Sequence, residues 1–364
     1  MGLYIGLMSG TSMDGIDAAL VDFPSHQCLH SVTYPYPPAV YDALQVLTQT
    51  QHCHLSDYAR LHVQVGWAFS EAVRHLLTLA NRNPAEITAI GSHGQTILHA
   101  PSDAIPHTLQ IGCAHHIAQQ TGIAVVADFR ARDLALGGQG APLAPVYHQV
   151  LFASEPKPLA VLNFGGIANI SYLYDSGRQL GYDVGPANAL LDAWATEHGQ
   201  GRYDVEGQWA ARGQVIPALL KALLDDPYFH QAHPKSIGKE YFSLAWLHSF
   251  LTSTYRPEDV QATLVALTVA LLVCSAEGPG QDCTRWIVCG GGVHNKHLMQ
   301  SLQEALPAIT ISSSAVMGIS PDFVEAMMMA WLAHQAIQQQ TLDLSSVTGS
   351  ISPHVLGVLY PKVG

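Results

Sequence analysis

The chain has 364 residues, 48% of them hydrophobic and 12% charged, and carries a net charge of −12 from 16 basic and 28 acidic side chains. That length exceeds what one hydrophobic core usually supports, so two domains are expected, and the composition excludes disorder. No Lys/Arg cluster gives the basic face a nucleic acid needs, no C-x-x-C pair occurs among the six cysteines, and the longest apolar run, residues 264–274, is too short to cross a bilayer.

A reduced cytoplasm is therefore the default setting, with no membrane and no nucleic acid as partners. His52-Cys53-His54 and His115-His116 look like metal ligands on paper. Adjacent residues point in different directions, however, and they read as surface or helix-end residues.

The chain opens on two apolar runs, residues 3–8 and 18–23, which read as strands. Between them stands Gly6-Leu7-Met8-Ser9-Gly10-Thr11-Ser12-Met13-Asp14-Gly15-Ile16-Asp17. Its central part is too short for a helix and rich in glycine and hydroxyls. It reads as a tight turn whose successive N–H groups form an anion nest, with Thr11 and Ser12 adding donors. Asp14 and Asp17 can hold a metal ion or order its waters. Residues 28–34 supply a third strand, ended by Pro35, Pro37 and Pro38.

Residues 55–81 carry Leu61, Val65, Ala68, Phe69, Ala72, Val73 and Leu76 at helical spacing, with Ser56 as a plausible N-cap. A short buried strand at 87–91 precedes Ser92-His93-Gly94-Gln95-Thr96. A strand at 108–112, a helix at 113–121 and a strand at 123–127 follow, ending in Asp128-Phe129-Arg130. Strands alternating with helices mean an α/β domain. Leu136-Gly137-Gly138-Gln139-Gly140-Ala141-Pro142 reads as the domain crossing, so residues 1–135 with 340–364 form one domain and 136–339 the other.

A helix at 146–153 leads to a strand at 159–163, the turn Phe164-Gly165-Gly166-Ile167-Ala168-Asn169, and a strand at 170–174. This repeats the opening plan of strand, glycine turn and strand, and a third strand, 179–183, again follows. A doubled fold with a cleft between its halves is expected. Gly185-Pro186-Ala187-Asn188 starts a helix through Trp194, and 201–245 is mostly helical and irregular. Residues 258–275 form an apolar helix. A strand at 285–289 ends in Gly290-Gly291-Gly292-Val293-His294-Asn295, where Asn295 caps a helix to Ala305. A strand at 309–312 and a helix at 321–339 complete the chain; Met327, Met328 and Met329 read as core filler.

Three glycine turns after three buried strands point to a nucleotide, the first two facing its phosphates and the third lying against adenosine. No Walker or dinucleotide fingerprint occurs. Asp183, at a strand end, is either a general base or a turn aspartate. Arg130 suits an anionic ligand or a surface ion pair, Glu325 a helix dipole or a substrate, and His93 a substrate contact or a structural hydrogen bond.

These segments together resemble the bacterial anhydro-N-acetylmuramic acid kinases: the opening motif, Ser92 to Thr96, Asp128-Phe129-Arg130, Gly137 to Pro142, Asn163 to Asn169, Asp183-Val184-Gly185-Pro186, Cys289 to Asn295 and Glu325-Ala326. The chain departs at Ala187, where the family usually has glycine. The resemblance implies an α/β fold of two actin-like (ribonuclease H-like) domains with a nucleotide cleft between them. It implies an ATP-dependent reaction that opens 1,6-anhydro-N-acetylmuramic acid with water and phosphorylates it, in murein recycling. Asp183 matches the water-activating aspartate. Gly10, Thr11, Ser12, Met13, Asp14, Gly15, Ile16 and Asp17, with Asn163, Gly165, Gly166, Gly290, Gly291, Gly292 and Asn295, fall to the nucleotide. Ser12, Asp14, His93, Arg130 and Glu325 fall to the sugar. Mg²⁺ is expected at the phosphates, through water on Asp14, and a homodimer is implied. On the residues alone, a related kinase of another sugar or of a carboxylic acid, and an actin-like filament protein, stay open.

Overall fold

The opening hairpin is where the sequence dictates the architecture. The structure, a computed structural model, describes residues 2–10, 13, 15–233, 235–238 and 241–362. The chain divides into two units, Met1–Leu143 with Phe323–Gly364, and Ala144–Asp322.

In the first unit, β1 (Gly2–Ser9), β2 (Ile16–Phe23) and β3 (Gln27–Tyr34) form an antiparallel meander. Helices α1 (Pro38–Thr50) and α2 (Leu55–Ala80) follow, then β4 (Ile87–Ala100), β5 (His107–Ile111), α3 (Ala114–Thr121), β6 (Val125–Ala127) and α4 (Ala131–Ala135). The C-terminal α11 (Val324–Ile337) and β12 (Val358–Tyr360) return to this unit. The sheet runs β12-β6-β4-β1-β2-β3, with β5 paired to β4; β4 and β6 are parallel to β1. The expected apolar face of α2 is buried, from Leu61 to Leu76, against the β1–β4 core. Its N-cap is His54 rather than Ser56.

The second unit repeats the plan. Helix α5 (Ala144–Leu151) leads to β7 (Leu159–Phe164), β8 (Ile167–Leu173) and β9 (Gln179–Pro186), again an antiparallel meander. Then come α6 (Asn188–Glu197), α7 (Pro217–Leu224), α8 (Leu244–His248), α9 (Pro257–Glu277), β10 (Arg285–Cys289), α10 (Lys296–Ala305) and β11 (Thr310–Ser313). The strand order is β11-β10-β7-β8-β9, with β10 and β11 parallel to β7. In both sheets a three-strand meander is extended from its first strand by parallel strands. That shared order is the actin-like (ribonuclease H-like) plan, present twice.

Helix α9 has the length and hydropathy to cross a membrane, but 72% of its apolar window is buried in the unit. Its residues Leu264, Val265, Leu267 and Leu272 pack with Trp194, Trp209 and Trp286, so it is a core helix.

Four further expectations are corrected. The boundaries fall at Leu143/Ala144 and Asp322/Phe323, so α11 belongs to the first unit, not the second. The reason is steric. A Cβ at Gly6 would lie 1.7 Å from Ala326 O, and one at Gly91 would lie 1.9 Å from Met329 O. Two glycines let the α11 backbone rest directly on β1 and β4. The three methionines 327, 328 and 329 are buried there, as core filler. Second, residues 92–96 do not follow a short strand but continue β4, which bends at Gly94 (φ 72) to pair with β5. Third, the second glycine turn is only Gly165-Gly166, since β7 and β8 extend to Phe164 and from Ile167. Fourth, Asp183 sits within β9, opposite Asn169, and not at its end. Helix α1 was unforeseen; its Pro38 stands at the first helical position, where proline is favoured.

Candidate active site

In the first unit the site is built around the β1–β2 turn. Thr11, Ser12 and Asp14 lie outside the described residues. Met13 N donates to Gly10 O at 3.2 Å, and Met13 takes φ 57. The side chains of Met13 and Ile16 are buried in the core, so only their backbones can meet a ligand. Gly15 packs on β3, where a Cβ would come within 2.6 Å of Thr33 Cγ2. Asp17 Oδ1 accepts from Thr33 Oγ1 at 2.6 Å.

Both ends of the turn are clamped by side chains. Gln95 Nε2 donates to Gly10 O at 3.4 Å, while Ser9 Oγ lies 3.1 Å from Gly15 O and 2.7 Å from Gln95 Oε1. Tyr36 OH also donates to Gln95 Oε1, at 3.3 Å. Burial raises the Tyr36 phenol well above its ordinary range, so it stays a donor. Ser9, Gln95 and Tyr36 are all buried.

His93 and Arg130 meet in this unit. Arg130 Nε donates to His93 Nε2 at 3.0 Å, and Arg130 Nη1 donates to Gly140 O at 2.7 Å. Arginine is always a donor, so His93 Nε2 must accept and its proton sits on Nδ1, which lies 3.0 Å from Gly94 O. Burial, reinforced by the Arg130 charge, pushes the His93 pKa down to about 3, so the ring is neutral. His93 is thus a support for Arg130 with both ring nitrogens engaged. Gly140 is itself fixed: its N donates to Asp133 Oδ2 at 2.6 Å, and Thr348 Oγ1 donates to Asp133 Oδ1 at 2.8 Å. Glu325 stands half-buried on the first turn of α11, between buried Val324 and Ala326.

In the second unit the Gly165-Gly166 turn is clamped by backbone. Asn188 N donates to Gly165 O at 3.2 Å, and Ala187 N and Ala189 N donate to Gly166 O at 3.1 Å. Asn188 Nδ2 adds a bond to Phe164 O at 2.9 Å. Ala187, the departure noted in the sequence, is buried in the core beside this turn.

Asn163 and the third glycine loop meet behind it. Gly290 has φ 82, and a Cβ there would lie 2.4 Å from Asn163 Oδ1. A Cβ at Gly292 would lie 2.4 Å from Phe164 Cβ, whereas one at Gly291 would meet nothing within 4 Å. Gly290 and Gly292 are therefore demanded by packing, and Gly291 faces open space. Asn295 caps α10, its side chain accepting from Leu298 N at 3.0 Å, so its amide oxygen is already engaged.

Asp183 is held on several sides. Its N donates to Lys235 O at 3.1 Å, its O accepts from Tyr228 OH at 2.7 Å, and its Oδ2 accepts from Ile237 N at 3.0 Å. A carboxylate fixed in this way has a set direction, which a general base requires. Asn169 stands opposite Asp183 across the strands, and its Oδ1 is buried without a hydrogen-bond partner among the described residues.

The family model for anhydro-N-acetylmuramic acid kinase matches residues 2–362. The chain belongs to the anhydro-N-acetylmuramic acid kinase family. It is 50% identical over 363 residues to the anhydro-N-acetylmuramic acid kinase of Legionella pneumophila (strain Corby), covering 100% of this chain and 99% of that one. It is 46% identical over 366 residues to the namesake of Xanthomonas campestris pv. campestris (strain 8004), covering 99% and 97%. Among solved structures it is similar to component A of (R)-2-hydroxyglutaryl-CoA dehydratase from Acidaminococcus fermentans, at 10% identity over 91% of this chain and 96% of that one, with a TM-score of 0.47 that is too low to bear on function. The chain is thus an enzyme of the anhydro-N-acetylmuramic acid kinase family, and the resemblance carried by its motifs is met over nearly its whole length.

The candidate site includes supports whose roles the sequence did not single out. Ser9 and Gln95 stand in motifs noted in the sequence, but their bonds to each other and to Tyr36 are legible only once β4 is known to run beside β1. Asn169 needed the β8–β9 register. Lys235 and Tyr228 reach Asp183 from some 50 residues downstream; the one hint is a lysine set in a stretch rich in aromatics, from Tyr228 to Trp246. The metal-like motifs do not assemble: among the described residues no group of three His, Cys, Asp or Glu side chains converges.

Proposed function

We propose that the chain uses ATP and water to convert 1,6-anhydro-N-acetylmuramic acid to N-acetylmuramic acid 6-phosphate and ADP, in recycling of cell-wall murein. Family membership supports the reaction class. The observation that carries the mechanism is the fixed direction of the Asp183 carboxylate, with Ile237 N on one oxygen and the backbone tied through Lys235 and Tyr228.

The substrate has no free 6-hydroxyl, because O6 is bonded to C1. Asp183 takes a proton from water, and the water oxygen bonds to C1. The C1–O6 bond breaks and its electron pair passes to O6. That oxygen attacks the γ-phosphorus, and ADP leaves with the electron pair of the broken P–O bond. Phosphorus captures the leaving oxygen in place of the proton a glycosidase acid supplies, so one carboxylate suffices. The backbone of the β1–β2 turn and of Gly165-Gly166 holds phosphates, and Gly291 offers the open side of the third loop to adenosine. Arg130 and Glu325 bind the sugar; His93 acts through Arg130. A homodimer and a cytoplasmic setting belong to the same reading.

Mg²⁺ neutralises phosphate charge in reactions of this class. The described residues fit it only in part: Asp17 is engaged by Thr33, and the carboxylate expected to order its waters, Asp14, lies outside them. Phosphate oxygens of the nucleotide and waters would supply the rest of its ligands.

Asp183→Asn tests the mechanism. Ring opening and phosphorylation should fall together, by about a thousandfold, while the nucleotide dissociation constant stays within about twofold. Phosphorylation at a near-normal rate in that variant would remove Asp183 from the chemistry.

A further inference from the structure

Lys235 is a buried cation that the reaction as written does not use. Its Nζ donates to Tyr228 O and Phe229 O, both at 3.2 Å, and stands 4.6 Å from the centre of the Tyr228 ring. Its side chain is one of few charged groups in the chain with so little exposure, 6%. Burial lowers its pKa, and the Asp183 charge opposes that shift.

The covalent path between these contacts is short. Residues on both sides of these contacts bind Asp183: Tyr228 OH reaches its carbonyl, Lys235 O its amide, and Ile237 N its carboxylate. Lys235 Nζ ties these groups together by reaching back to the carbonyls at 228 and 229. Removing the ammonium would take the cation from Phe229 O and from the Tyr228 ring, leave Tyr228 O with the Gln231 N–H alone, and loosen all three holds at once. The Lys235 and Asp183 charges attract each other, and because the attraction is mutual it favours the ionised form of the carboxylate.

We propose that Lys235 is a positioning residue for the reaction: it pins Tyr228, Phe229 and the Lys235 and Ile237 backbone around Asp183 and keeps the Asp183 carboxylate ionised and aimed. The inference rests on the reading of Asp183 as the base. The other titratable groups around the pair are Tyr182, on which His233 stacks at 4.1 Å, Tyr228 itself, and the Asp226–Tyr241 pair beside it. Burial and the nearby Asp183 and Tyr182 keep the Tyr228 hydroxyl protonated, and burial lowers the His233 pKa.

The test compares Lys235→Met, Lys235→Gln and Lys235→Arg with the parent enzyme, by steady-state kinetics from pH 5 to 9 and by thermal unfolding. Lys235→Met should lower kcat about ten- to a hundredfold with KM for ATP within about twofold, and should move the acidic limb of kcat upward by about one pH unit. Lys235→Gln, which keeps hydrogen-bond donors and so keeps the fold, should retain more of the rate yet show the same upward shift. Lys235→Arg should restore the limb and most of kcat. Folded Met and Gln variants with the parent's kcat and acidic limb would overturn the proposal. If Met fails to fold, an unshifted limb in the Gln variant alone does so. The result separates from that of Asp183→Asn: an active Asn variant removes the base itself, whereas an inactive Asn variant beside a fully active Lys235→Gln removes only the lysine's role.

Discussion

The two glycine turns sit at the same place in two sheets of the same strand order, yet they are secured by different chemistry. In the first unit side chains reach the carbonyls at both ends of the turn, Ser9 that of Gly15 and Gln95 that of Gly10, which also accepts from the Met13 N–H. In the second, Gly165 O and Gly166 O are met by backbone N–H groups of residues 187–189 as α6 begins. The helix contacts differ in the same sense. In the first unit α11 presses its backbone onto the sheet through Gly6 and Gly91; in the second, α9 shares a core of large side chains that includes Leu162, Ile170 and Trp286. The same topology can therefore be built on side-chain clamps and bare backbone contact, or on backbone clamps and side-chain packing. The first design is vulnerable to single substitutions at Gly6 and Gly91 on the sheet, the second at the packed glycines of its third loop, Gly290 and Gly292.

The sharpest break in that comparison is at Gly6. A methyl group there would sit 1.7 Å from Ala326 O, and neither backbone can yield without moving the helix that carries Glu325. Gly6→Ala should cost at least about 3 kcal/mol, read as a fall in urea midpoint at constant slope. A change below about 1 kcal/mol would mean that α11 does not lie on β1 as described.

A smaller effect separates the two turns. Gln95→Ala removes the side-chain donor to Gly10 O and leaves Tyr36 without its buried acceptor, while Ser9 keeps Gly15 O, at about 1–2 kcal/mol. KM for ATP should rise about tenfold. Asn188→Ala deletes one side-chain bond, to Phe164 O, but leaves the three backbone bonds, and KM should change by no more than about twofold. Equal effects from the two substitutions would erase the distinction between side-chain and backbone clamping.

The smallest expected effect is in acid. The first unit holds five histidines whose pKa is lowered chiefly by burial, His26, His62, His93, His99 and His334, with His93 at about 3 and His99 at about 4. The second holds two, His148 at about 3 and His233. A histidine whose folded pKa lies below its unfolded value of about 6.5 stabilises the fold fully above that pH. The contribution declines as pH falls from about 6.5 toward the folded pKa, because the unfolded chain then binds protons that the folded chain refuses. Hydrogen exchange followed from pH 7 to 4 should therefore show the first unit losing protection at the higher pH. Earlier loss in the second unit would contradict the assignment.

Much of this was legible in the sequence. A strand, a glycine turn and a strand occurring twice is a local pattern, and local patterns survive without coordinates. The helix α2 was equally plain from its apolar spacing. What escaped was long-range. Nothing near residue 330 says that α11 belongs with β1, because the reason is the missing Cβ of Gly6, more than 300 residues away. The proline triplet at 35–38 was read as a break, although Pro38 begins a helix. At the site, Asp183 and Arg130 were visible as charged groups beside strands, but their supports were not. His93 was read as a possible ligand because its partner, Arg130, is distant in sequence, and Lys235 was passed over for the same reason.

The central claim is that water attacks the sugar carbon while phosphorus captures the departing oxygen. Mass spectrometry of the product formed in ¹⁸O-water tests it most directly. The account predicts one labelled oxygen at the C1 hydroxyl and none in the 6-phosphate; label in the phosphate, with C1 unlabelled, would contradict it.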